Sequence, residues 1–292
     1  MNEFSNISKE VVSSSSINFF FGAGVNGKAF KMAKDFKETL DFFKNCLQYE
    51  VELEDGFTLV SGNDYLNAKK KFIKEIEEAD NAYLEDNSKE CCDSKNNINE
   101  MLKSVHKIVD KTENRCVRMK QINIFTLNYD NVIEDRLNEL GFFYNFVSNS
   151  NYAKKRNVYD VIGYDIEKQK NIPTYLVSHL HGLMDNPIVP GNEKYASSIN
   201  SDNFEIVYNM KRILMRPNSI LFVIGYSGGD KHFNDIILDA IENGLTVYWL
   251  SFNGDVKDIV EKFGDKIFIN RGDGVLDSTK ILSNILEDVW KN

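Results

Sequence analysis

Phe19-Phe20-Phe21-Gly22-Ala23-Gly24-Val25-Asn26-Gly27 is a short aromatic run that breaks into G-x-G-x-x-G. The run is too short for a helix and has no polar alternation, so Ile17 to Phe21 reads as a strand buried on both faces of a parallel sheet. The glycines suit a tight turn that wants positive φ. They also let a pyrophosphate approach backbone N–H groups at the mouth of a helix. The competing reading is a glycine turn that only packs helix on strand. A standard dinucleotide-binding unit places a second strand about 20 residues on, ending in an acidic residue that holds a ribose. Here that position is Asp41 or its neighbours, inside a helical run from Lys28 to Tyr49, so an ordinary dehydrogenase is not expected.

Working outward, four more apolar runs read as buried strands: Ile122 to Leu127, Thr174 to Leu180, Ile220 to Ile224 and Leu245 to Leu250, with a shorter sixth at Lys266 to Ile269. Helical periodicity separates most of them. Val132, Ile133, Leu137 and Leu140 share a face before Gly141, and Ile236, Ile237, Ala240 and Ile241 do so before Gly244. A last helix begins near Ser278, with Asp277 as its N-cap. Such alternation predicts an α/β fold, a Rossmann-like parallel sheet with helices on both faces. The stretch 50–115 breaks the rhythm and is expected to be a helical insertion, with a loop near Asn87 to Asn97 holding Cys91 and Cys92. A polar and aromatic stretch, 145–171, is expected to form a small flap, and 1–292 a single domain.

The 292 residues carry 35 Lys and Arg against 44 Asp and Glu, a net charge of −9, which repels phosphate backbones and anionic lipid. Direct nucleic-acid binding is therefore not expected. Four cysteines, Cys46, Cys91, Cys92 and Cys116, contain no C-x-x-C pair, so neither zinc nor a disulfide framework is read from them. With no signal-peptide pattern and no apolar stretch near the ~20 residues of a membrane span, a cytoplasmic protein is expected.

Three further segments sit at strand ends, where open parallel sheets bind ligands. In Thr126-Leu127-Asn128-Tyr129-Asp130 an amide and a carboxylate two residues apart can face one crevice, although capping of the next helix also explains them. In Ser178-His179-Leu180-His181-Gly182 no ligand-spaced partner supports a metal. His181 suits general-base work, and His179 reads as a hydrogen-bonded core histidine. In Gly225-Tyr226-Ser227-Gly228-Gly229-Asp230 small residues permit close backbone approach, while Ser227 and Asp230 suit ribose, phosphate or a helix cap.

The order GAG, TLNYD, HLHG, GYSGGD resembles the sirtuin family, and within it the bacterial SIR2-like branch of antiphage defence proteins. The resemblance implies a sirtuin-type sheet and NAD+ as substrate. It implies that Gly22, Ala23 and Gly24 cradle the pyrophosphate, that Asn128 holds the ribose and a water, and that Asp130 meets the carboxamide. His181 would be the base, and Gly225 and Ser227, with Asp230 in the same loop, would meet the adenosine side. The zinc ribbon of protein-deacylating sirtuins is missing, as is the Pro-Asp-Phe-Arg-like stretch after GAG. The expected activity is thus NAD+ hydrolysis by Asn128 and His181, without zinc or another metal. It would serve NAD+ depletion in antiviral defence, restrained by a regulatory or sensor protein partner or by oligomerisation. A non-catalytic NAD+ or ADP-ribose sensor and a protein deacylase are the alternatives.

Overall fold

Strands with no polar alternation have no solvent face, and a sheet built from them must be covered on both sides. The computed structural model describes residues 2–3, 7–27, 30–112, 115–148, 161–191, 203–251, 256–272, 274 and 277–291. Its main sheet has eight parallel strands: β1 (Asn2–Glu3), β2 (Ser16–Phe21), β3 (Gln121–Thr126), β4 (Tyr144–Val147), β7 (Thr174–His179), β8 (Ser219–Ile224), β9 (Thr246–Ser251) and β10 (Phe268–Arg271). The order across it is β1-β10-β9-β8-β2-β3-β7-β4. Every residue of β2, β3, β7 and β8 is buried. The α/β expectation holds for this Rossmann-like sheet.

The two-residue period of the strands divides the core. Phe19, Phe21, Ile122, Ile124, Val177 and Phe222 face helices α5 (Lys89–Lys111), α6 (Val132–Glu139) and α10 (Ser278–Lys291). Phe20, Phe125, Leu176, Val223 and Trp249 face α7 (Asn203–Leu214), α8 (Lys231–Glu242) and α9 (Lys257–Phe263). A buried amide ladder crosses the middle strands: Gln121 donates to Asn123 Oδ1, Asn123 to Asn18 Oδ1, and Asn18 to the Ile220 carbonyl. These amides satisfy one another, which is what lets polar groups sit inside an apolar sheet.

Several boundaries differ from the sequence expectation. Stretch 50–115 is divided by its packing. Helices α2 (Lys37–Leu47), α3 (Leu53–Leu59) and α4 (Gly62–Glu85) share an aromatic core of Phe36, Phe43, Phe57 and Phe72, whereas α5 packs on the main sheet through Met101, Leu102 and Val105. The break between α4 and α5 spans only residues 86–88. Ser88 Oγ accepts from the Cys91 N–H and starts the helix there, so Cys91 and Cys92 are helical and Cys91 is buried. In 145–171, β4 belongs to the main sheet, and β5 (Gly163–Asp165) with β6 (Lys170–Ile172) forms an antiparallel pair; residues 149–160 of the expected flap lie outside the described residues. Within the Lys28 to Tyr49 run the helix begins only at Lys37. Among the described residues, no helix is long and apolar enough to cross a membrane.

Candidate functional site

Strand order reverses between β2 and β8: the chain runs from β2 to β3 on one side and later returns to β8 on the other. Crevices open at such points beyond the carboxyl ends of the strands. Here two glycine loops meet. The Gly22 N–H donates to the Ile224 carbonyl at 3.0 Å and the Gly24 N–H to the Gly225 carbonyl at 3.0 Å. A Cβ on Gly22 would lie 2.5 Å from the Gly225 oxygen, and one on Gly225, whose φ is +68°, would lie 2.3 Å from the Val25 nitrogen. The glycines are thus demanded by loop-on-loop contact.

This corrects part of the pyrophosphate cradle. The N–H groups of Gly22 and Gly24 are already used, and Val25 donates back to Gly22. No α-helix follows the turn either: Ala23–Asn26 is a single 3₁₀ turn, too short to present a helix N-terminus. Within the GAG triplet only Ala23 retains an N–H without a backbone partner among the described residues.

Beyond β3, the loop that carries Asn128 is pinned through its main chain. The Asn128 N–H donates to Thr126 Oγ1 and the Asn128 carbonyl accepts from His179 Nδ1, which leaves the side-chain amide as the group available to a ligand. Asp130 caps α6 by accepting from the Val132 N–H at 3.1 Å, and its other oxygen accepts from Asn26 Nδ2 at 3.0 Å. Both carboxylate oxygens are engaged, so a carboxamide would have to share one. Burial raises the Asp130 carboxyl to about 6, against the pull of the Val132 hydrogen bond and of the His179 charge. Asp80 of α4 rises to about 7, through burial first and then the charges of Asp130 and Asp135. Asn26 is itself held by Ser94 of α5, whose hydroxyl donates to the Asn26 carbonyl and meets Tyr83 Oη at 2.9 Å.

At the end of β7 the two histidines have different roles. His179 is wholly buried between the Asn128 carbonyl and Glu134 Oε1, the latter at 2.6 Å, in agreement with the core reading. His181 lies beyond the strand with its Nε2 3.5 Å from Asp230 Oδ2, and its ring centroid is 5.6 Å from Phe233 and 6.3 Å from Tyr129. Asp230 is the N-cap of α8, accepting from the His232 N–H. It therefore faces the histidine rather than either cavity described below. Tyr226 fixes it by bonding its N–H and carbonyl, and the Gly228 carbonyl accepts from Lys262 and Asn234.

Two cavities open along this edge. The larger, about 1350 Å³, is lined at its centre by Gly24, Gly225 and Ser227 and at its walls by the first turns of α5 and α10, through Lys89, Asp93, Ser94, Asp277 and Ser278. Its size exceeds the ~300–1,000 Å³ usual for small-molecule sites, and helix N-termini favour anions. Its lining mixes the cations Lys34, Lys89, Lys257 and Lys280 with the carboxylates Glu90, Asp93, Asp258 and Asp277. The smaller cavity, about 80 Å³, is lined by Ala23, Asn128 and Asp130 and roofed by Phe30, Lys31, Met32 and Phe36. Met32 lines both, so they adjoin. Gly24, Gly225 and Ser227 thus share one cavity and Ala23, Asn128 and Asp130 the next, while His181 and Asp230 form a pair that lines neither.

Sequence reasoning missed the partners that hold these residues: Asn26, Asp80, Ser94 and Glu134, with the α5 and α10 turns. Asn26 stood inside the quoted glycine motif, and Asp277 was legible as a cap. Nothing local marked Ser94 or Asp80, which come from helices 68 and 54 residues beyond Asn26. Among the described residues no group of three or more His, Cys, Asp or Glu could hold a metal ion.

The family model of the SIR2-like domain matches residues 122–270. A structure from work on the mechanism and regulation of Sir2 enzymes is 11% identical, covers 97% of this chain and 95% of its own, and superposes with a TM-score of 0.47. A Sir2 homolog in complex with NAD is 12% identical, covers 99% and 98%, and gives 0.48. No curated protein matches the chain.

Proposed function

Because the chain belongs to the SIR2-like domain family, whose model spans half its length, we propose that it is an NAD+ glycohydrolase. As substrate, NAD+ supplies a labile bond between ribose and a cationic nicotinamide. Water adds to the anomeric carbon, nicotinamide leaves neutral, and one proton is released with ADP-ribose. The observation that carries this reading is the adjacency of a dinucleotide-sized cavity, under Gly24, Gly225 and Ser227, to a small polar cavity lined by Asn128 and Asp130.

In this arrangement the Asn128 amide orients the ribose and the attacking water, and Asp130 with Ala23 closes the inner wall. His181, backed by Asp230, takes the proton; a positioned base of this kind contributes on the order of 10²–10⁴-fold. The ~80 Å³ cavity admits water but not a nicotinamide riboside, so productive binding requires the roof of Phe30, Lys31, Met32 and Phe36 to withdraw. Regulation by a protein partner or by self-assembly, in the setting of antiphage NAD+ depletion, follows from the same reading, because free hydrolysis would exhaust the host's own NAD+.

The test is to incubate the purified protein with NAD+, assay free nicotinamide, and measure NAD+ binding by calorimetry in parallel. Release of nicotinamide that Asn128→Ala and His181→Ala abolish, with binding retained, supports the hydrolase. Binding without turnover points to a sensor module, release that depends on an acyl-lysine peptide points to a deacylase, and absence of binding overturns the NAD+ reading.

A further inference from the structure

His179 was assigned above only a place in the core, yet its surroundings ask more of it. Both ring nitrogens meet oxygens: Nδ1 the Asn128 carbonyl at 3.1 Å and Nε2 Glu134 Oε1 at 2.6 Å. A carbonyl only accepts, so Nδ1 carries a proton, and a second proton must lie between Nε2 and Glu134 Oε1, shared by an imidazolium with a carboxylate or by a neutral imidazole with a carboxylic acid. Glu134 is buried as well, and its Oε2 has no hydrogen-bond partner among the described residues. A buried carboxylate in that position is tolerated only with a charge beside it.

We propose that Glu134 holds His179 as an imidazolium, and that His179, through its bond to the Asn128 carbonyl, is the positioning residue for the loop bearing Asn128. This rests on the reading that Asn128 acts on NAD+. The chain of contacts runs from α6 through β7 to the end of β3, so a charge pair behind the sheet edge sets the register of the amide in front of it. The other charged group acting on His179 is Asp130, at the start of α6, which draws the ring further toward its protonated form; Asp80 couples to Asp130 and Glu134, and Asp135 to Glu134. Burial alone would push the histidine down, but Glu134, the two hydrogen bonds and Asp130 together raise it above its ordinary 6.5. The positioning charge is therefore complete below 6.5 and lost as pH rises through that raised value.

The experiment pairs ring ¹⁵N NMR of His179 with NAD+ turnover, in the wild type and in Glu134→Gln. A Gln side chain at 134 can donate to Nε2, which keeps both contacts but leaves the ring neutral. In the wild type both ring nitrogens should read as protonated across neutral pH, and in Glu134→Gln only one. The variant should lose kcat on the order of 10- to 100-fold, the usual cost of altering a residue that orients a reacting group, with KM for NAD+ little changed. The wild type should show an alkaline fall of kcat that is absent from the variant. A bare ring nitrogen in the wild type, or a variant with wild-type kcat and pH profile, overturns the proposal. The NMR arm needs no activity, so absence of NAD+ binding overturns the NAD+ reading while leaving the imidazolium to be judged on its spectrum.

Discussion

Replacing Gly225 by Ala should be among the most damaging single-methyl changes in the chain, and the structure supplies its own control. Gly225 and Gly141 have nearly the same φ, +68° and +67°, so Ala pays a left-handed penalty of similar order at each, roughly 1–2 kcal/mol. At Gly141 nothing lies within 4 Å of the added methyl, and the cost ends there. At Gly225 the methyl would meet the Val25 nitrogen at 2.3 Å and the Gly24 carbonyl carbon at 2.5 Å, both main-chain atoms that cannot rotate away. The loops must separate. That loses the Gly24-to-Gly225 hydrogen bond and strains the Gly22-to-Ile224 bond, about 1 kcal/mol each, on top of overpacking of about 1–3 kcal/mol. Urea unfolding followed by circular dichroism should therefore show Gly225→Ala destabilised by roughly 3–5 kcal/mol more than Gly141→Ala. A difference below about 1 kcal/mol would mean that the two loops do not bear on each other and that the switch-point crevice is misdrawn.

Three further outcomes follow from the site. Asp80 and Asp130 titrate at about 7 and about 6, above their ordinary 3.8, so each favours the folded state when protonated; that contribution is complete below pH 3.8 and is lost as pH rises through the folded values. Asp80→Asn should flatten the fall of the urea midpoint between pH 4 and 7, where each such carboxyl costs up to about 1.4 kcal/mol per pH unit, and an unchanged pH slope would refute the carboxyl coupling. Asp230→Asn retains a side-chain oxygen for the His232 N–H and should melt close to the wild type, whereas nicotinamide release should drop because the carboxylate 3.5 Å from His181 is gone; a stable variant with full activity removes Asp230 from the mechanism. Asn26→Ala strips Asp130 of one hydrogen bond and leaves its oxygen buried, which should cost about 1–3 kcal/mol in thermal or urea unfolding.

The buried strands were legible because a fully covered parallel strand is predominantly apolar, as in Phe19 to Phe21 and Leu221 to Ile224; the buried amides Asn18 and Asn123 are exceptions that satisfy each other inside the sheet. The edge strands β1 and β4 were not. Tyr144–Val147 is half-buried, and Asn145 and its polar surroundings carry no two-residue period, because a sheet edge has neighbours on one side only. Each strand end also announced its chemistry, since Gly, Asn, Asp and His at the carboxyl edge of a parallel sheet answer to local rules. What only the tertiary structure decided is how those groups are used. Gly22 and Gly24 spend their N–H groups on the β8 loop. Asp230 turns to His181, and His179 reaches Asn128 and Glu134 across 51 and 45 residues of sequence. Hydrophobic periodicity is a property of neighbours along the chain, whereas a hydrogen bond or a buried charge pair depends on which segments the fold brings within 3 Å, and one sequence read alone holds no record of that distance.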